Sequence, residues 1–132
     1  MDSEPMDPAP MAPAPETAYD LFRRGSRLLE DHHPGAASVV LERALALEPG
    51  KASILEALGR AYYNQGQPAL AAERFGAIVD ADPVAHYAHF GLGLACGRLG
   101  DRRAARRHLK LAVLLKPESE DYRRALQRLE AA

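Results

Sequence analysis

Apolar residues along this chain recur every three or four positions, which is the spacing of one face of an α-helix. The middle of the chain shows the pattern most clearly, with Leu55, Leu58 and Tyr62 in one run and Phe75 and Ile78 in the next. Glycine and proline separate the runs, and both residues favour turns between helices. The pattern therefore predicts an all-α protein built from antiparallel helix pairs, with about 14 residues in each helix.

The helix pairs form three copies of one unit, because the same residue types return after 34 positions. Glycine, proline, alanine and larger apolar residues all keep this period. The matching positions are Gly25, Gly59 and Gly93; Pro49, Pro83 and Pro117; Ala37, Ala71 and Ala105; Leu41, Phe75 and Leu109; and Ala44, Ile78 and Ala112. A fixed period of this length is typical of arrays in which neighbouring units bury a continuous core.

The middle copy carries the most complete motif, which reads Leu55-x-x-Leu58-Gly59-x-x-Tyr62, then Ala71-x-x-x-Phe75, then Pro83. This motif resembles the tetratricopeptide repeat, with Leu55 at the position where that family usually has tryptophan. The resemblance covers residues 18–117. It implies a right-handed α-solenoid of three helix-turn-helix repeats, in which the first helix of each pair lines a concave face that binds extended peptides or partner helices.

We expect the chain to divide into a tail at 1–16, repeats at 18–51, 52–85 and 86–117, and a capping helix at 118–132. The tail is rich in proline and alanine, and it holds four acidic residues and no basic one. Proline removes backbone donors that a helix needs, so we predict that this tail is disordered. The capping helix is predicted from Ser119 at its N-terminus and from an apolar stripe, which consists of Tyr122, Ala125, Leu126 and Leu129.

The repeated glycines lie inside predicted helices, where glycine costs roughly 1 kcal/mol relative to alanine. Their recurrence therefore indicates a steric requirement. We expect Gly59 to lie against Ala71, so that two helix backbones approach closely while Tyr62 and Phe75 fill the space on either side.

Composition restricts the possible functions only mildly. The formal net charge is −1 and the chain has a single cysteine, so there is no overall attraction to nucleic acid and no intrachain disulfide. We find neither the pattern of a secretory signal nor a run approaching the roughly 20 apolar residues of a membrane span. We therefore expect a cytoplasmic protein.

No set of nucleophile, base and metal ligands points to an enzyme, and we expect neither a cofactor nor a metal. Cys96 occupies a core position of the repeat register, which predicts a buried structural thiol. His86 and His89 are three residues apart on one predicted helix, so they are the candidate pair of metal ligands. Because His89 stands where the middle copy has Leu55, a packing role is the favoured interpretation.

One strong cluster of charge lies on the second helix of the third repeat, and it consists of Arg102, Arg103, Arg106, Arg107, His108 and Lys110. Helical spacing places most of these cations on the side opposite Leu109 and Ala112. The favoured interpretation is a solvated outer face. The alternative is a surface that binds an acidic partner or nucleic acid.

The first helices carry a surplus of residues that the core does not use, and the repeat register directs them into the concave groove. They are Tyr19, Phe22, Ser26 and Leu29; Ser53, Glu56, Arg60, Tyr63 and Asn64; and Tyr87, Phe90, Leu94 and Arg98. Exposed aromatic rings among polar groups are typical of protein-binding surfaces. The alternative is that Tyr19 and Phe22 are covered by the tail while Tyr87 and Phe90 pack between helices.

Some tetratricopeptide proteins grip the C-terminal carboxylate of chaperones with Lys, Arg and Asn side chains. The matching positions here are Phe22, Ser26, Ala57, Tyr87 and Gly91, and none of them carries such a side chain. The sequence therefore predicts a non-enzymatic interaction module for an aromatic-anchored peptide or partner helix. The expected anchors are Phe22, Tyr63, Tyr87 and Phe90, with Arg60, Asn64 and Arg98 orienting the ligand. A self-associating structural adaptor is the remaining alternative.

Overall fold

The computed structural model describes residues 14–132, and within this range it contains seven α-helices and no strand. They are α1 (Ala18–Glu30), α2 (Pro34–Leu47), α3 (Ala52–Asn64), α4 (Pro68–Ala81), α5 (His86–Arg98), α6 (Arg102–Leu115) and α7 (Glu120–Ala131). The all-α fold class is confirmed. Most of the predicted disordered tail falls on residues 1–13, which lie outside the described residues. At its end, the Glu16 carboxylate forms ion pairs with Arg24 of α1 and Arg43 of α2.

The turn inside each repeat has the same backbone geometry in all three copies. Gly66 and Gly100 follow α3 and α5 with φ angles of 76° and 83°, a left-handed conformation that glycine adopts without a steric penalty. The equivalent residue of the first repeat is His32, with φ of 62°, and a side chain makes this conformation cost roughly 1–2 kcal/mol. Pro34 and Pro68 then occupy the first turns of α2 and α4, where a missing N–H leaves no hydrogen bond unmade.

The helices form two layers with different internal packing. Each helix packs against the next one in the chain, and the first helices also contact one another in the order α1, α3, α5 and α7. The backbones of the second helices α2, α4 and α6 lie farther apart, although an ion pair at 3.0 Å joins Glu42 of α2 to Arg74 of α4. The layer of first helices is therefore the more closely spaced one, and it forms the concave side of the solenoid.

The core runs through all three repeats and is filled by the residues that keep the period. Leu21, Leu41 and Leu58 are the largest fully buried side chains. Ala37, Ala71 and Ala105 have no exposed surface, since each lies where two helices of a pair come closest and a larger side chain would not fit.

The glycines of the repeat lie under the bulky residue of the paired second helix. A Cβ atom added to Gly59 would lie 2.6 Å from the Phe75 ring of α4, so Phe75 lies directly over this glycine and not to one side of it as the sequence predicts. The same residue spacing recurs in the other repeats, where Gly25 faces Leu41 and Gly93 faces Leu109. The physical reason is that the bulky residue of the second helix needs the space directly over the backbone of the first. In the third repeat the equivalent of Ala71 also comes close, since a Cβ atom added to Gly93 would lie 3.2 Å from the Ala105 carbonyl oxygen.

The last helix closes the end of the core as the sequence predicts. The Ser119 side chain accepts a hydrogen bond from the backbone N–H of Tyr122 at 3.3 Å and so begins α7. Tyr122 is buried, and its ring lies 4.7 Å from that of Phe90 on α5. The outer side of α7 is polar and exposed, so this helix ends the apolar stack.

We predict that Gly59→Ala destabilises the protein by roughly 1–3 kcal/mol, because the new methyl group collides with the Phe75 ring. The matched control is Gly76→Ala in α4, where an added Cβ meets no atom within 4 Å. That substitution should stabilise the protein by about 0.5–1 kcal/mol, since alanine is the better helix former. Urea unfolding of both variants provides the measurement. Equal effects of the same sign would contradict the packing described above.

Candidate functional site

The concave face carries a row of side chains from three first helices, which we call the groove. Its exposed members are Tyr19, Ser53, Arg60, Asn64 and Arg98, and its half-buried members are Phe22, Ser26, Glu56, Tyr63, Tyr87, Phe90 and Leu94. Leu29 does not belong to it. That side chain is only 7% exposed and is part of the core, because its position on α1 faces the neighbouring helices and not the solvent.

An apolar cavity of about 310 Å³ opens at the end of the groove where α1 meets α3. We call it the end pocket. Its lining residues are Ala18, Tyr19, Phe22, Glu48, Lys51, Ser53 and Ile54. The sequence analysis missed the contribution of Glu48 and Lys51, which flank the turn between α2 and α3. Their position directly before α3 in the chain is the signal from which this contribution could have been inferred.

Two arginines of the concave side lie over aromatic rings. The Arg98 guanidinium carbon is 4.5 Å from the centre of the Tyr63 ring, and that of Arg23 is 5.8 Å from the Tyr19 ring. Neither arginine forms an ion pair within the described residues. A guanidinium that stacks on a ring keeps its N–H edges free for other acceptors. Arg98 thus links α5 to α3 across the groove and still presents donors to it.

The aromatic residues of the third repeat are partly used by the fold itself. The Tyr87 ring packs edge-on against Phe75 at 6.2 Å and against Phe90 at 6.1 Å, and Phe90 packs against Tyr122. This agrees in part with the alternative that Tyr87 and Phe90 pack between helices. Both side chains nevertheless stay half-buried, so one edge of each ring remains open to the groove.

A polar cluster lies at the middle of the groove. The Nδ1 atom of His86 is 2.7 Å from the Tyr122 hydroxyl, which joins α5 to α7. Partial burial raises the pKa of the Glu56 carboxyl above its ordinary value, while the charges of Arg60 and His86 oppose this rise. Burial also raises the pKa of Tyr87, with Arg60 again opposing. The centre of the groove therefore combines one carboxylate with several hydrogen-bonding groups close to aromatic rings.

The structure explains why two positions of the carboxylate clamp cannot carry a polar side chain in this protein. A Cβ atom added to Gly91 would lie 2.5 Å from the Phe75 ring. Ala57 is only 5% exposed and belongs to the core. Packing between α3, α4 and α5 therefore occupies the space that such side chains would need.

The two histidines that the sequence offers as candidate metal ligands, His86 and His89, contact different residues. His89 is buried; its Nε2 atom lies 2.7 Å from the carbonyl oxygen of Pro83 and its Nδ1 atom lies 3.1 Å from Nδ1 of His108. Since a carbonyl only accepts, His89 donates from Nε2, and the His108 Nδ1–H donates to His89 when both rings are neutral. His86 contacts Tyr122 instead. Residues 14–132 contain no group of three or more metal-ligating side chains placed to hold an ion.

Cys96 is less buried than predicted. The side chain is half-buried and free, and burial raises the pKa of its thiol above the ordinary value, with Asp101 adding to the rise. Its counterparts in the repeat register differ in burial, since Leu28 of the first repeat is half-buried and Tyr62 of the second is buried. A raised pKa keeps the thiol protonated and weakly nucleophilic.

The cations of α6 gather on its outer side as helical spacing predicts. A shallow depression of about 600 Å³ is lined by Arg102, Arg103, Arg106, Arg107 and Lys110 alone, and we call this surface the basic face. Arg106 is 3.9 Å from Glu130 of α7. His108 is not part of the surface, because it turns toward His89.

Comparison with known proteins identifies the family. Residues 22–67 and 56–117 match the family model of the tetratricopeptide repeat, and together they span more than half of the chain. The chain therefore belongs to the tetratricopeptide repeat family, whose members are typically protein-interaction modules and not enzymes. Comparison with curated protein sequences gives no match.

Solved structures agree with this assignment. The first tetratricopeptide domain of Spaghetti (RPAP3), bound to the HSP90 peptide SRMEEVD, is similar with a TM-score of 0.82 and 16% identity, over 87% of this chain and 91% of that one. The Sgt2 domain from Aspergillus fumigatus has a TM-score of 0.81 and 25% identity, over 95% and 83%. MamA from Desulfovibrio magneticus has a TM-score of 0.82 and 24% identity, over 86% and 64%. Within the described residues, no helix is long and apolar enough to span a bilayer.

We predict that acid destabilises the third repeat through the paired histidines. Burial lowers the pKa of His108 below its ordinary value of 6.5, with the charges of Arg107 and His89 adding to the effect. The unfolded chain therefore binds the proton first, so stability is full above the ordinary pKa and falls as the pH drops below it. The loss in melting temperature between about pH 8 and about pH 5 should be smaller in His108→Gln than in the wild type. The exposed His33, changed to Gln, is the control, and an equal reduction there would exclude the pair as the cause.

Proposed function

We propose that this protein is a non-enzymatic interaction module that binds an extended peptide or a partner helix in its groove. The observation that carries the proposal is the end pocket, an apolar cavity bordered by Tyr19 and Phe22 that residues 14–132 leave unfilled. Its volume of about 310 Å³ is enough for one bulky apolar side chain. Binding sites that are apolar and concave, with a few polar groups at their rim, are the usual form of ligand pockets.

The remaining groove residues extend this pocket along the first helices. Ser26, Tyr63, Tyr87, Phe90 and Leu94 are half-buried, so each offers part of its surface without needing to be reordered. Aromatic and arginine side chains with restricted motion are favoured as binding anchors, since little conformational entropy is lost when they are covered. Arg60, Asn64 and Arg98 are exposed next to them and supply donors that orient a bound backbone.

The neighbouring RPAP3 structure contains a bound HSP90 peptide, which supports peptide binding as the mode of action for this fold. Two positions of a carboxylate clamp are not available in this protein, because Ala57 and Gly91 are committed to packing. We therefore propose that the ligand is held by apolar contacts in the end pocket and by stacking near Tyr63, and not by a clamp on a terminal carboxylate.

We predict that Tyr63→Ala combined with Arg98→Ala weakens peptide binding at least about tenfold, or about 1.4 kcal/mol. Peptides selected from a displayed random-sequence library against the wild type serve as ligands, and isothermal titration measures their affinity. This pair avoids Phe90, whose replacement would also remove its contact with Tyr122. Arg98 is exposed and Tyr63 is half-buried, and neither belongs to the fully buried core, so the variant should retain the wild-type circular dichroism spectrum.

The control for this experiment is Val39→Ala combined with Arg103→Ala, because both side chains are exposed on second helices. Selected peptides should bind the control as tightly as the wild type. Peptides that bind the groove variant normally and the control weakly would show that the outer surface holds the ligand, and the groove proposal would be rejected.

A further inference from the structure

The basic face of α6 is not required by the fold. Each of its five cations has an equivalent position in α2 and another in α4, 68 and 34 residues earlier in the chain. The equivalent residues are Pro34, Gly35, Ser38, Val39 and Glu42 in α2, and Pro68, Ala69, Ala72, Glu73 and Gly76 in α4. None of the ten is basic. The other two repeats therefore build the same second helix without any cation at these positions, which indicates that the third repeat carries them for another reason.

The basic face also works against the stability of its own helix. Arg102 and Arg106, Arg103 and Arg107, and Arg106 and Lys110 are pairs four residues apart, and like charges at this spacing repel each other by a few tenths of a kcal/mol. Arg102 and Arg103 stand at the N-terminus of α6, where the helix dipole disfavours positive charge. Only Arg106 has an acidic partner within the described residues. An external anion would relieve this repulsion.

Exposed leucines continue the basic face toward the end of the helix. Leu114 follows Lys110 by four residues and Arg107 by seven, so it lies on the same side of α6, and it is 75% exposed. Leu111, four residues after Arg107, is 36% exposed at the edge of this side. The counterparts of Leu114 in the other repeats are Ala46 and Asp80. Cations followed by exposed leucines on one outer helix match a surface that lies on a lipid bilayer.

The charge of the whole chain is also unevenly distributed, with an excess of positive charge in the part that contains α6. Residues 98–132 hold ten Lys and Arg against five Asp and Glu, whereas residues 1–97 hold seven against thirteen. The C-terminal quarter of the chain is therefore its positive part, and an anionic plane would orient the protein with α6 toward the surface. A nucleic acid is the less suitable occupant, since the basic face has no aromatic side chain on which a base could stack.

We infer that the basic face of α6 is a docking surface for an anionic lipid bilayer, with Arg102, Arg103, Arg106, Arg107 and Lys110 facing the headgroups and Leu114 entering the interface. The surface lies on the second-helix layer, so the groove stays open on the opposite side. A protein docked in this way holds its groove ligand at the membrane without a helix that spans it. The inference does not depend on the groove proposal, because it rests on different helices.

Vesicle sedimentation tests this inference with the full chain. Vesicles of phosphatidylcholine alone are compared with vesicles that also contain phosphatidylglycerol in equal amount, at about 0.05 M salt. We expect binding only to the anionic vesicles, and we expect Arg103→Glu with Arg107→Glu to weaken it at least about tenfold. The control is Arg27→Glu with Lys51→Glu, which changes the net charge equally but lies on α1 and the turn before α3; it should bind at least threefold more tightly than the basic-face variant.

The basic-face variant should melt at or above the wild-type temperature, because the substitutions turn the pairs at 103/106 and 107/110, three residues apart, into opposite-charge pairs and place acidic groups in the first half of α6. Arg103→Gln with Arg107→Gln serves as a second variant if the reversal prevents folding. Either route keeps a loss of vesicle binding separate from a loss of structure.

Leu114→Gln distinguishes a bilayer from other polyanions. It should weaken binding to anionic vesicles and leave binding to a single-stranded oligonucleotide or to polyglutamate unchanged. The inference would be overturned by absent binding to anionic vesicles at low salt. It would also be overturned if the two charge-reversed variants lost vesicle binding equally, or if an oligonucleotide or polyglutamate bound the basic face more tightly than vesicles and Leu114 had no effect.

Discussion

The middle of this solenoid depends on one ring placed between two glycines. Phe75 of α4 lies over the backbone of Gly59 in α3 and of Gly91 in α5, and a Cβ atom at either glycine would overlap the ring. A single side chain thus sets the distance within the second repeat and the distance from the second repeat to the third. Because interiors are close-packed, neither helix can move without losing these contacts. The contacts of Phe75 with the two glycines therefore set the spacing of the core residues on either side.

The fold could be predicted from the sequence because each packing requirement appears at three equivalent positions, one in each repeat. Helix number and turn positions follow from residues that keep the period, and the C-terminal cap follows from Ser119 and the apolar stripe after it. The position of Phe75 directly over Gly59 could not be predicted in the same way, since a spacing tells which residues are equivalent but not which residues face each other. Gly91 is a glycine whose packing role the repeat pattern cannot predict. It has no glycine counterpart in the other repeats, so only the three-dimensional packing reveals why a side chain is excluded there.

The candidate site was less predictable for a related reason. Register separates core from surface along a helix, and every residue that it directed to the groove except Leu29 lies outside the fully buried core. It cannot assign residues that join elements distant in sequence, such as Arg98 over Tyr63 or His86 beside Tyr122. Nor does it show that Glu48 and Lys51 border the end pocket. Residues that depart from the repeat are nevertheless informative, because the fold alone gives no reason for them. The basic face of α6 is the largest such departure.

The gaps in the outer layer give the solenoid a particular mechanical character. Since the backbones of α2, α4 and α6 lie farther apart than those of the first helices, bending the array changes the spaces between them, and between α2 and α4 it acts mainly on the Glu42–Arg74 ion pair. The first helices, which do contact one another, act as the less extensible side. The curvature of the molecule can consequently change at a low cost in free energy, and the width of the groove changes with the curvature. A ligand that fits a slightly wider or narrower groove can be accommodated through small rotations shared among the repeats. The groove is therefore an elastic binding surface whose width is adjustable.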